Sequence, residues 1–273
     1  MEQEPQPSPQ GGTPLSGQVG DEPIADVMAD QTQADAGVPA ADQNTVALDE
    51  EQVKDEIDIQ IDLLSDPDWV VRREAVITLG EMGDERCVEP LARALRDGDW
   101  QVREVAIEAM GQVGSPAVDT LLKLLRDWEV RKYAIAALGK IRDERVLDPL
   151  MLQLRNDEFK DDAIDALVEL GGPSVERLIV ALRDKDENVR KCAVRALGRI
   201  KGNEAIDSLI AMLGDKDWET RLLAAAALES IGDERGREAI KPLLKDPDMV
   251  VKMRVERILA KWKKQPTSQP ANA

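Results

Sequence analysis

Histidine is missing from all 273 residues. That gap removes Ser-His and Cys-His catalysis and every His-ligated metal site. Cysteine is nearly missing too: Cys87 and Cys192 are too few for a thiolate zinc site. They fall in repeat units too far apart for a disulfide, so both are expected to be reduced thiols, as in a cytoplasmic protein. Aromatics make up only 3% of the chain, which favours thin layers of interdigitating aliphatic side chains over a core built on large rings. No apolar run approaches the roughly 18 residues of a membrane span, and no basic stretch leads into an apolar one, so no secretory signal is expected. Neither a glycine-rich phosphate loop nor a dinucleotide fingerprint occurs, and no cofactor is expected.

What is abundant is negative charge. Against 36 Lys and Arg stand 54 Asp and Glu, a net charge of −18. The first 50 residues hold ten of the acids and no base, leaving −8 for the rest. Such a surface disfavours phosphate backbones, which need clustered Lys and Arg, and anionic lipid. Neither nucleic acid nor membrane is an expected partner. Residues 1–48 read as a disordered acidic tail: Pro5, Pro7, Pro9 and Pro14 break helices, and there is little apolar surface to offset ordering entropy. Order is expected to begin near Asp49, an N-cap with Gln52 three residues on, followed by Val53, Ile57, Ile61 and Leu64 at helical spacing. Residues 49–263 then form the folded array, and 264–273 a polar, flexible C-terminus.

The array is legible through self-similarity. A basic residue recurs at Arg72, Arg103, Arg131, Lys160, Arg190, Arg221 and Lys252, with spacings of 31, 28, 29, 30, 31 and 31 residues. Three residues on comes a small side chain (Ala75, Ala106, Ala134, Ala163, Ala193, Ala224, Val255). Four further comes Leu79, Met110, Leu138, Leu167, Leu197, Leu228 or Leu259. Each period accommodates two helices of about three turns. Helix A ends in a run such as Leu91–Leu95. Helix B opens on a capping Asp such as Asp68, Asp99 or Asp217 and ends near Gly80, Gly111, Gly139 or Gly198. One such pair cannot bury its apolar face alone, so neighbours must stack. The expected fold is an all-α, right-handed α-solenoid of about seven two-helix repeats, a monomer or weak oligomer.

An acidic cap, Val-Arg, Ala, Leu-Gly and then Asp-Glu-Arg, repeated over about 210 residues, resembles the HEAT-like repeats of the phycocyanobilin lyase type. The resemblance implies a protein-binding scaffold in most cases, or a chromophore-handling protein holding a tetrapyrrole in its groove. A regulatory subunit of an enzyme complex is a further alternative. Deoxyhypusine hydroxylase also uses HEAT-like repeats, but its di-iron site needs His-Glu pairs, and this chain has no histidine.

Four sets of residues are candidates for function. The basic row (Arg72, Arg103, Arg131, Lys160, Arg190, Arg221, Lys252) could bind anions, but a structural ladder with the Asp residues of the A–B turns is favoured. It should weaken at Lys160 and Lys252, which lack the planar fork. Trp69, Trp100, Trp128 and Trp218, each three residues before the basic position, belong to the first turn of helix B on one rim. Packing over a neighbouring turn is favoured over a row of partner anchors. The third set lies on the outward face of helix B, expected to line the concave side: Asp161, Asp162, Asp165 and Glu169 in repeat 4, then Lys191, Cys192, Arg195 and Arg199 in repeat 5, then Leu222 and Leu223 in repeat 6. Salt bridging between repeats is favoured there over docking of a protein partner, and solvated carboxylates over a cation site. Finally, the A–B turns of repeats 3 and 4 are short: Leu125 to Arg131 and Leu154 to Lys160 span six residues, against eight for Leu95 to Arg103 and Leu182 to Arg190. Repeat 4 also has Val168 where repeats 1, 2, 3 and 5 have Gly80, Gly111, Gly139 and Gly198, so a local change of curvature is expected there.

Overall fold

The computed structural model describes residues 54–264; the expected cap at Asp49 with Gln52, Val53, the acidic tail and residues 265–273 lie outside them. Among the described residues the chain forms fourteen α-helices in seven antiparallel pairs, with no strand. The layers are α1 (Glu56–Leu63) with α2 (Trp69–Met82), α3 (Val88–Ala94) with α4 (Trp100–Val113), and α5 (Val118–Leu124) with α6 (Arg131–Lys140). They continue as α7 (Leu147–Gln153) with α8 (Lys160–Leu170), α9 (Gly172–Ala181) with α10 (Glu187–Ile200), α11 (Ile206–Met212) with α12 (Trp218–Ile231), and α13 (Glu234–Ile240) with α14 (Met249–Lys264). Short 3-10 turns lead into α3, α5, α7 and α11 and follow α13. The first described helix is capped by Asp55, whose carboxylate accepts the amide of Asp58. No described helix is long and apolar enough to cross a membrane.

The A–B turns are built by acidic side chains folding back on their own backbone. Asp66, Asp97, Asp127, Asp184, Asp215 and Asp246, with Asn156 at the same place in layer 4, each accept the amide two residues on at 2.8–3.0 Å. This Asx geometry stands in for a backbone turn. In the long-turn layers a second carboxylate then caps helix B: Asp68, Asp99, Asp186, Asp217 and Asp248 accept a first-turn amide at 2.8–2.9 Å. The two residues missing from layers 3 and 4 include that cap. Val130 and Phe159 precede α6 and α8 and cap nothing.

The core runs continuously from Ile57 to Trp262. The repeating small residues from Ala75 to Val255 are all buried, as are Leu79, Met110, Leu138, Leu167, Leu197 and Leu228; Leu259 is half-buried. Successive B helices stack directly on one another, while the A helices touch their neighbours more sparsely. The tighter row follows the shorter arc, so helix B lines the concave side.

Helix B ends near the recurrent glycines, but they are not the residues that turn the chain. Helices α2, α4, α6 and α10 run one or two residues past Gly80, Gly111, Gly139 and Gly198. The left-handed turn is made later, at Gly83 (φ 63) in layer 1 and Lys201 (φ 61) in layer 5. The recurrent glycines instead let neighbouring B helices approach. A Cβ at Gly80, Gly139 or Gly198 would lie 2.6–2.7 Å from Ala109, Ala166 or Ala227 of the next layer. Where Val168 replaces the glycine, α8 meets α10 about as extensively as α4 meets α6 across Gly111.

Candidate functional site

Arg72, Arg190 and Arg221 share one geometry. Each Nη1 donates to two backbone carbonyls of its own A–B turn: Asp66 and Pro67, Asp184 and Lys185, Asp215 and Lys216. Nε and Nη2 donate to both carboxylate oxygens of the next layer's turn, Asp97, Asp215 and Asp246, at 2.7–3.0 Å. The sequence reading expected a ladder with the Asp residues of the A–B turns. The structure puts carbonyls of the arginine's own turn on Nη1 and brings the carboxylate from the following layer. Hydrogen bonds from Arg72 and Arg221 hold Asp97 and Asp246 below the usual carboxylate range. At Asp215 burial pushes the other way, but Arg190 and the Asp217 amide outweigh it. Lys160 reaches only Asp157 of its own turn, at 2.8 Å, and Lys252 makes no ion pair among the described residues.

The short turns of layers 3 and 4 break this lattice. Arg103 Nη1 keeps its own turn carbonyls, Asp97 and Gly98. Its Nε, however, is buried with no acceptor, and the guanidinium stacks 5.5 Å from the Tyr133 ring centroid. The turn carboxylate of layer 3, Asp127, is taken by Arg96 from the end of α3, at 2.6 Å. Arg131 donates Nε to the Leu125 carbonyl and stacks on Phe159 at 4.9 Å. The turn residue facing it is the neutral Asn156. Arg126, Arg131 and Arg155 line a cleft of about 670 Å3 together with Leu152, Asn156 and Asp157.

On the concave face, the acidic and basic stripes meet each other. Arg195 donates to Asp161 at 2.7 Å and Arg199 to Asp165 at 2.5 Å. Glu169 lies 4.0 Å from Lys140, which also holds Glu108 at 2.8 Å. Lys191 turns toward layer 6, bridging Glu219 at 2.9 Å and Asp217 at 3.4 Å. Asp162 pairs with no cation among the described residues; burial raises its carboxyl, and the charges of Asp165 and Asp161 add to the rise. Leu222 and Leu223 are half-buried against the core. Cys192, expected on the exposed face, is buried, and that burial pushes its thiol up. Its position flanks the buried Ala193 stripe, where a long side chain reaches water and a short one is covered. Both cysteines are free thiols. No group of carboxylates and thiols among the described residues is arranged to hold a metal ion.

The tryptophans do not behave alike. Trp69 packs half-buried against the core. Trp100 and Trp128 are 61% and 72% exposed, and Trp218 is 43% exposed. These values leave the rings of Trp100 and Trp128 mostly open to water. Trp128 lies in the shortened turn and not in helix B, which there begins at Arg131. Leu152 and Val180, exposed near the ends of α7 and α9, extend this edge. Sequence reasoning missed the arginines that accompany them. Arg96, Arg126, Arg155 and Arg183 each stand immediately before the turn Asp or Asn in four consecutive layers. It also missed a second lattice on the opposite edge, where Arg86, Arg145, Arg177 and Arg235 reach back to Asp55, Asp119, Asp148 and Asp207 of the preceding layer. The recurrent Asp-Glu-Arg triplet at 84–86, 143–145 and 233–235 was its signal.

Seven stacked helix pairs with a tight inner row define an α-solenoid. The chain belongs to the HEAT-repeat family, which matches residues 57–127, 94–167, 151–221 and 206–271. No curated protein matches it. Among solved structures, human deoxyhypusine hydroxylase in complex with glycerol is similar at 22% identity, covering 77% of this chain and 85% of that one, with a TM-score of 0.39. The complex of CpcE and CpcF of phycocyanin lyase from Nostoc sp. PCC7120 is similar at 21% identity, covering 82% and 99%, with a TM-score of 0.38. A designed armadillo repeat protein in complex with the peptide (KR)4 is similar at 22% identity, covering 76% and 99%, with a TM-score of 0.31.

Proposed function

We propose that this chain is a non-catalytic protein-interaction scaffold that engages its partner through the A–B edge of layers 2–4. The observation that carries this reading is the exposure of Trp100 and Trp128, 61% and 72%, at equivalent positions of adjacent layers. Rings left in water add little to the fold, whereas burying one against a partner contributes about 2–3 kcal/mol. Tryptophan is also enriched at interface hot spots, and a stacked scaffold holds such anchors with little ordering cost on binding.

The concave face of layers 4–6, where the sequence set docking of a partner beside the favoured salt bridging between repeats, is the weaker candidate. Asp161 and Asp165 are matched by Arg195 and Arg199 within the chain, which suits a device that sets the register between layers. The same pairs weigh against the chromophore-lyase reading, because the arginines that would receive propionates are already engaged.

The test is a comparison of complexes formed in the native cell extract by the full-length protein, by Trp100→Ala/Trp128→Ala, and by Asp161→Lys/Asp162→Lys/Asp165→Lys. A stoichiometric protein partner lost only from the tryptophan variant is expected. The reading is overturned if that variant keeps the partner, or if a coloured tetrapyrrole adduct forms.

A further inference from the structure

The long-turn layers show what the basic row is built to hold. Each arginine grips a carboxylate supplied by the next layer, with Nε and Nη2 on its two oxygens. Two adjacent members of the row lack that carboxylate. At Arg103 the Nε is buried with no acceptor, and Asp127 pairs with Arg96 instead. At Arg131 the turn residue is Asn156, and only Nε is bonded, to a backbone carbonyl. Beside it stands Arg126, exposed and without an ion pair among the described residues. The one acid in this cleft, Asp157, is held by Lys160 at 2.8 Å. Leu152 and, two residues from Arg126, Trp128 offer apolar surface at the same place, 63% and 72% exposed.

We infer that the A–B edge of layers 2–4 is a docking site for an acidic peptide segment of a partner protein. Its carboxylates take the seats at Arg126 and Arg131, and an apolar side chain lies on Trp128 and Leu152. This rests on the scaffold reading above and names the partner's chemistry. The planar guanidinium matches a carboxylate through two parallel hydrogen bonds, and both Nη groups of Arg131 lack an acceptor among the described residues. Phosphate polyanions fit less well. Asp127 is held by Arg96 and Asp157 by Lys160, so the local repulsion is limited to Glu129 and Glu158, whereas the chain's net charge of −18 repels a long polyanion and a short peptide can engage locally.

The probe is a fluorescein-labelled peptide of six glutamates around a central leucine, titrated into the full-length protein and followed by fluorescence anisotropy. Saturable binding that weakens as salt rises is expected, with no binding of the same peptide carrying glutamine for glutamate. Asn156→Asp returns a carboxylate to the vacant seat and should weaken binding by about tenfold or more, the worth of one charge-assisted contact. Arg126→Glu should do the same. Arg257→Glu, the same charge change on an exposed residue of layer 7, should bind as the wild type does. Circular dichroism of each variant checks that the fold is kept.

Unchanged affinity in Asn156→Asp overturns the proposal. So does equal binding of the glutamine peptide, or tighter binding of a thymidine oligonucleotide than of the peptide. If the peptide fails while Trp100→Ala/Trp128→Ala still loses the native partner, only this inference falls. If that variant keeps the partner, the scaffold reading falls independently.

Discussion

Removing the Asp215 carboxylate with Asp215→Ala should loosen layers 5 and 6 far more than its place at the edge of the array suggests. Asp215 accepts three hydrogen bonds, from Arg190 Nε at 2.8 Å, Arg190 Nη2 at 3.0 Å and the Asp217 amide at 2.9 Å. The side chains of Arg190 and Asp215 are only 7% and 9% exposed. Truncation therefore leaves a cation and two donors facing a small void. Breaking a buried pair from one side costs about 3–5 kcal/mol. Arg190 Nη1 keeps its carbonyl partners and water can enter from the edge, so a loss of about 2–3 kcal/mol is expected. By contrast, Arg155→Ala removes a contact to Asp184 from an arginine that is 48% exposed, and the expected loss is under about 1 kcal/mol. Because stacked repeats open locally, the assay is amide hydrogen exchange across α10 and α12 alongside urea unfolding. A double-mutant cycle with Arg190→Ala isolates the pair, with an expected coupling of about 1–3 kcal/mol. A coupling below about 0.5 kcal/mol, within the error of additivity, refutes the view that the arginine row fastens one layer to the next.

Three further outcomes follow from the same geometry. Gly198→Ala should destabilise by about 1–3 kcal/mol through overpacking against Ala227, despite alanine's better helix propensity; a higher thermal midpoint would contradict close approach as the reason for the glycine. Asp162→Asn should stabilise by about 0.5 kcal/mol at neutral pH. The Asp162 carboxyl is raised by burial, so its charge opposes folding above its folded pKa and not below the unfolded one; the gain should fade in acid, and a gain that persists there refutes it. The lowered carboxyls of Asp97, Asp215 and Asp246 act in the opposite sense. Their contribution is present above the ordinary carboxylate pKa and lost as pH falls through their depressed values, so stability should drop steeply on the acid side of about pH 4, and a flat urea midpoint between neutral and acid would count against it.

The layer count and the buried face were legible because they depend on periodicity alone: Ala106, Met110, Ala163 and Leu167 recur at fixed intervals, and each proved buried. The short turns of layers 3 and 4 were legible by counting. What depends on the offset between layers was not. The partner of Arg72 is Asp97, 25 residues on, and nothing local distinguishes it from Asp66, whose carbonyl the same guanidinium also uses. The tight contact of Gly139 with Ala166 and the burial of Cys192 likewise depend on how closely neighbouring B helices approach. The arginines before the turn acids were visible in the repeat alignment, but their meaning emerged only once the carboxylates of layers 3 and 4 were found spoken for or missing.

The most direct test of the central claim is oxidative footprinting of the full-length protein, free and in complex with its native partner. In the free protein, reactivity should fall in the order Trp128, Trp100, Trp218, then Trp69 and Trp262, following their exposure. In the complex, Trp100 and Trp128 should be protected while Trp218 stays reactive. Protection confined to the concave face of layers 4–6, with Trp100 and Trp128 as reactive as before, would contradict the edge as the binding surface.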